Sequence, residues 1–197
     1  IVFQDKKMPN KAALLYKKSL VIKPNTPDSY NNLGNTFSDQ GKFEEAIRPY
    51  NAALAINPVY AEAYHNLGRA LEELERSDEA EANYNQAIEL KPDFSGAYWN
   101  LHGIQKSIPS AEHWIDQCLK ADENFVKAYL TKAALRFYQG DRAKFEELMQ
   151  SPHLRYHPYM RSFEWAFNLP SLPELHFGKW HFFDAIIKNS KTSRPFY

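Results

Sequence analysis

The chain has 197 residues, of which 44% are hydrophobic and 15% aromatic, enough apolar material for one continuous core. No apolar run approaches the ~18 residues that a membrane-spanning helix needs, so a membrane is not an expected partner. Lys plus Arg and Asp plus Glu stand at 24 each, which leaves no sustained positive field to hold a phosphate backbone, so nucleic acid is not an expected partner either.

Residues 1–26 contain one amphipathic segment with Ala12 and Tyr16, closed by Pro24. Its pattern returns at a fixed interval of 34 residues: Ala12 aligns with Ala46 and Ala80, Tyr16 with Tyr50 and Tyr84, and Pro24 with Pro58 and Pro92. A preceding half-pattern recurs in the same step, pairing Tyr30 with Tyr64 and Tyr98, Asn32 with Asn66 and Asn100, and Leu33 with Leu67 and Leu101. A period of this length marks stacked helical hairpins, each unable to bury its apolar face alone. Within a hairpin, Tyr30, Leu33, Gly34 and Phe37 follow helical spacing, with a small residue where a neighbouring helix comes close. Gly41 suits a left-handed turn, and the second helix buries Ala46, Tyr50, Ala53 and Leu54. Pro49 falls inside that second helix, where a local kink on an exposed face is expected.

The segments YNNLG, YHNLG and YWNLH, each followed by Ala, an aromatic, a small residue and Pro at fixed offsets, resemble tetratricopeptide repeats. The resemblance implies an all-α fold, an α-α superhelix or solenoid with a C-terminal helical cap. Full repeats are expected at 27–60 and 61–94 and a repeat shortened by three residues at 95–125, its turn tightened near Ile108 and Pro109. A degenerate repeat follows at 126–150, and residues 1–26 complete a repeat that lacks its first helix, so that 1–150 form the array. Cys118 sits where the other repeats have Ala53 and Ala87, a tight contact, and reads as a buried structural thiol; a lone cysteine forms no internal disulfide.

In this family the first helices line the inner, concave surface. The resemblance therefore places Asn32, Asn66 and Asn100 in a row along a groove, with Asn35 and Arg69 beside them and Thr131 at the matching place in the degenerate repeat. An amide offers one acceptor and two donors, so such a row suits the main chain of an extended peptide, and it resembles the asparagine ladder of O-GlcNAc transferase-type repeats. The competing reading has the same amides tying adjacent helices together. Toward the C-terminal end the groove turns apolar, with Trp99, Leu130, Phe137 and Tyr138 as anchors for a hydrophobic side chain or as packing. The carboxylate clamp of chaperone-tail binders does not fit. Asn31, His65, Trp99 and Leu130 stand where that clamp needs Lys, and Asp28, Asp39, Glu62, Glu72 and Glu73 would repel a terminal carboxylate.

After Gln150 the period stops. Residues 151–197 hold eleven aromatics, five prolines and four of the seven histidines, a composition that argues for packed structure. Two short helices around Met160, Phe163 and Phe167 and around Trp180, Phe183 and Ile187 are expected, joined by LPSLPEL, as a cap or connector. His153 with His157 and His176 with His181 lack the further ligands of a metal centre. No catalytic motif, nucleotide loop or cofactor fingerprint is present, so neither catalysis nor a cofactor is expected of this chain. The expected partner is a protein or peptide, in a cytoplasmic setting. Two other readings stay open. One is a substrate-recruiting arm of a larger enzyme, since the layout ending in Arg194, Pro195, Phe196 and Tyr197 resembles repeat proteins fused to methyltransferases. The other is self-association through the truncated N-terminal end, where a bare apolar face is expected.

Overall fold

The computed structural model describes residues 8–155, and all regular structure among them is helical. The helices expected around Met160 to Ile187 lie outside the described residues. In chain order the elements are α1 (Met8–Ile22), α2 (Pro27–Asp39), α3 (Phe43–Ile56), α4 (Ala61–Glu73), α5 (Ser77–Leu90), α6 (Ser95–Gly103), α7 (Ile108–Ala121), α8 (Val126–Tyr138), α9 (Arg142–Met149) and α10 (Pro152–Arg155). They divide into two compact units, residues 1–100 and 101–197, the division falling inside α6.

In the first unit, helices form where the sequence supplies both an apolar stripe and a start signal. Pro27 and Asp28 open α2, Glu44 and Glu45 stand in the first turn of α3, Glu62 in that of α4, and Asp78 with Glu79 in that of α5. Proline fits there because the first-turn N–H groups have no helical partner, and carboxylates complement the positive end of the helix dipole. The helices pack as successive hairpins, α2 on α3 and α4 on α5, with α3 against α4 and α1 against α2. Ala46, Tyr50, Ala53, Ala80, Tyr84 and Ala87 are almost wholly buried, which is the recurring core that the 34-residue period describes.

Close approach within each hairpin depends on one glycine. A Cβ added at Gly34 would fall 2.6 Å from Tyr50 Cδ1, and one added at Gly68 would fall 2.6 Å from Tyr84 Cε1. The tyrosine ring lies flat where any larger residue would need a side chain, so glycine is required by packing and not by backbone conformation. Conformation does matter at the turn between the helices. Gly41 has φ of 72° there, and Glu75, its counterpart in the next repeat, has φ of 60°, a left-handed conformation that an L residue adopts at a cost of roughly 1 kcal/mol.

Two details depart from expectation. Pro49 is buried, not exposed, and lies inside a helix assigned continuously from Phe43 to Ile56. Ile108 and Pro109 do not form a tightened turn; they begin α7, capped by Ser107 Oγ, which accepts from Ser110 N at 3.3 Å. The three-residue shortening is taken from the preceding helix, since α6 has 9 residues where α2 and α4 have 13.

In the second unit, Leu130, Ala133, Ala134 and Leu154 form a core that Val126, Tyr129, Phe145, Leu148 and Met149 border. Ion pairs tie α7 to α8, with Arg136 to Glu112 at 3.1 Å and Lys132 to Asp116 at 2.7 Å. The His153 ring stacks on Tyr129 with centroids 4.7 Å apart, joining α10 to α8. Cys118 is buried, and burial pushes its thiol up to about 12, well away from the range of a reactive thiolate. On α1, Leu14, Leu15, Val21 and Ile22 are exposed, the last two by 86% and 79%.

Candidate functional site

The first helices of the hairpins in the first unit are α2, α4 and the start of α6, and side-chain hydrogen bonds link each to the next. Asn66 Nδ2 donates to Asn31 Oδ1 at 3.1 Å, joining α4 to α2. Asn100 Nδ2 lies 3.1 Å from His65 Nε2, joining α6 to α4. The rule is the same at both junctions: the asparagine of the row reaches back to the residue just before the row position in the preceding repeat. Asn32, the first of the row, has α1 before it, a second helix, and no described residue bonds its side-chain amide. The tie reading therefore holds geometrically for two of the three amides, while each tied amide retains an oxygen that the tie does not use.

Beneath the amides run two buried tyrosines whose hydroxyls come through to the polar face. Tyr50 OH donates to Asn35 Oδ1 at 2.8 Å and lies 3.1 Å from Ser38 Oγ. Tyr84 OH donates to the Glu72 carboxylate and accepts from Asn100 Nδ2 at 3.3 Å. Burial raises both phenols above their usual range; for Tyr84 the Glu72 charge adds to the effect. The sequence reading gave these tyrosines to packing alone. A signal was present, since a tyrosine at both core positions carries a hydroxyl that must find a partner when buried.

Around the α4 to α6 junction the polar contacts continue. Lys91 Nζ pairs with Glu62 at 3.0 Å, which holds the Glu62 carboxyl below its ordinary value, and lies 5.0 Å from the Phe94 ring centroid. Phe94 packs at 4.6 Å on His65, and His65 lies 5.8 Å from Tyr84. Burial first, and the Arg69 charge second, push the His65 imidazole down to about 4, so it is neutral at ordinary pH. At the α2 to α4 junction Tyr60 OH donates to Asp28 at 2.8 Å, and burial with the Asp28 carboxylate raises that phenol to about 12.

The remaining expected site residues divide between the units. Asn35 is half-buried and Arg69 exposed on the same two helices as the amide row. Trp99 is half-buried beside Asn100. In the second unit, Leu130 is 3% exposed and belongs to the core, so it packs and offers no surface to a ligand. Thr131 is 4% exposed with its Oγ1 sealed from solvent, and it does not extend the amide row as an accessible rung. Phe137 packs edge-on against Phe145 at 5.2 Å, in the manner of a core contact. Tyr138 closes α8, and its side chain lies outside the described residues. Packing takes Leu130 and Phe137 out of this apolar patch, Leu130 into the core with Leu154 of α10 and Phe137 against Phe145 of α9.

What remains is a surface of amides, carboxylates, one arginine, one lysine and one neutral imidazole, suited to hydrogen bonding. Among the described residues no group of three His, Cys, Asp or Glu could hold a metal ion, and no helix is long and apolar enough to cross a membrane.

Comparison with known proteins agrees with the repeat pattern. Family models described as tetratricopeptide repeats match residues 15–48 and 61–94, and one described as TPR repeat matches 34–75. Similar solved structures include a crystal structure of MamA at 23% identity and TM-score 0.63, covering 83% of this chain and 95% of that one. MamA from Desulfovibrio magneticus RS-1 is 14% identical with TM-score 0.62, over 82% of this chain and 88% of its own. Pseudomonas aeruginosa PilF is 20% identical with TM-score 0.68, over 82% of this chain and 76% of its own. Among curated proteins none matches. The matches and the hairpin geometry together identify residues 15–94 as tetratricopeptide repeats, and the solved structures share the all-α fold of the described residues.

Proposed function

We propose that this chain is a protein-interaction module that holds an extended peptide or partner loop along the face formed by α2, α4 and the start of α6. The observation that carries the reading is the amide row itself. Asn32, Asn66 and Asn100 recur on successive first helices, and two of them are fixed in orientation by ties to the repeat before, which lowers the ordering cost of binding. Amides at a regular spacing can pair with main-chain N–H and C=O groups without reading sequence, while the mixed charges at Asp28, Glu62, Arg69 and Lys91 supply selectivity between partners.

The test is a peptide array probed with the whole chain, followed by NMR titration of the peptides that bind. Binding should perturb amide signals of Asn32, Asn35, Asn66, Arg69 and Asn100 and leave the exposed face of α3 and α5, for example Arg48 and Asn85, unmoved. Perturbations centred on α3 and α5 would refute the assignment of the face, and an array without any binder would refute the peptide reading.

A further inference from the structure

The amides of the row are not chemically equivalent, because a carboxylate fixes the direction of the hydrogen bonds at one of them. Glu72 as a carboxylate has only acceptors, so the Tyr84 hydroxyl must donate to it. The Tyr84 proton is thereby committed, and toward Asn100, 3.3 Å away, the phenol oxygen can only accept. Asn100 must then turn its NH2 group, not its carbonyl, to Tyr84. The same nitrogen lies 3.1 Å from His65 Nε2. With a donor facing it, Nε2 must be bare, and the single proton of the neutral ring sits on Nδ1.

Both N–H bonds of Asn100 are then committed inward, one to Tyr84 and one to His65. Its Oδ1 is engaged by no described residue and is not among the atoms sealed from solvent without a partner. Asn35 is the opposite case, since its Oδ1 accepts from Tyr50 OH and its NH2 is left over. We propose that Asn100 is an acceptor-only rung, which takes a main-chain N–H of the bound peptide and so fixes the register and direction in which the peptide lies, with Tyr84 and His65 as the positioning residues. This deepens the peptide-binding reading and rests on it.

Two measurements on the full chain test it. Long-range 15N–1H NMR of His65 reads the tautomer with no ligand present: the expected result is a protonated Nδ1 and a bare Nε2, and in Glu72→Gln, where the side chain can also donate, this tautomer should lose its dominance. The second uses a peptide recovered from the array and its single ester replacements, each of which deletes one main-chain N–H. One replacement should weaken binding about three- to tenfold to the native chain and less than twofold to Asn100→Ala. A protonated Nε2 overturns the amide assignment whatever the peptide does. A protonated Nδ1 with no Asn100-dependent ester position overturns the donor-bearing ligand, a result distinct from an array that binds nothing.

Discussion

The repeats at 27–60 and 61–94 share a skeleton and differ in what it carries at the polar face. Both place a tyrosine ring against a glycine, Tyr50 on Gly34 and Tyr84 on Gly68, and both bring the hydroxyl out to that face. In the first repeat the hydroxyl meets neutral Asn35 and Ser38; in the second it meets Glu72 and reaches on to Asn100 of the following repeat. The reach-back residue is Asn31 in one and His65 in the other, and the turn is Gly41 in one and Glu75 in the other. Packing is thus held constant while hydrogen-bond polarity changes, which is how a repeat array can vary its ligand without altering its fold.

The shared part is broken by adding one methyl group. Gly34→Ala and Gly68→Ala should each destabilise by about 2–3 kcal/mol, because the ring behind is itself walled in and cannot move aside. Denaturant midpoints should show similar losses for both. A loss confined to one would mean that the two hairpins do not share this packing.

The second junction should be sensitive to acid and the first should not. His65 has its imidazole held down to about 4 from an ordinary 6.5 by burial and by Arg69, with Glu62 opposing and Tyr84, Phe94 and Asn100 as uncharged neighbours. Between those values the unfolded chain binds the proton more readily than the folded one. The stabilisation is therefore complete above pH 6.5 and is lost as pH falls toward 4, by on the order of 2–3 kcal/mol. His65→Asn, which copies Asn31, should remove that slope; melting temperatures of both proteins across this range, compared as a difference, check it.

Removing the hydroxyls sharpens the contrast. Tyr84→Phe leaves Glu72 and Asn100 without a shared partner and should cost about 1.5–2 kcal/mol. Tyr50→Phe should cost about 0.5–1 kcal/mol, since Asn35 and Ser38 are neutral and half-buried and can turn to water. Equal losses would contradict the proposed difference in networks. At the turns, Glu75→Gly should stabilise by about 0.5–1 kcal/mol and Gly41→Ala destabilise by a similar amount, because both positions hold positive φ.

The hairpins were legible in the sequence because they follow from a period that repeats in register: Ala46, Tyr50 and Ala53 and their counterparts Ala80, Tyr84 and Ala87 are the buried set. The polar network was less legible. That Asn66 meets Asn31 and Asn100 meets His65 depends on the rotation of neighbouring helices, which a 34-residue period does not specify. The apolar end of the groove was misplaced for a related reason. Leu130 and Thr131 occupy first-helix positions in the array, but in the degenerate repeat α9 and α10 cover α8, and register alone gives no sign of that cover.

The central claim is that the amide row binds as well as ties, and Asn32 separates the two because no described residue ties its amide. Asn32→Ala should leave the melting temperature unchanged or slightly raised, alanine being the better helix former. It should weaken an array-derived peptide about tenfold in isothermal titration, the loss of two hydrogen bonds at about 0.5–1.5 kcal/mol each. Undiminished affinity in a protein of native stability would contradict the account and leave the asparagines as helix ties alone.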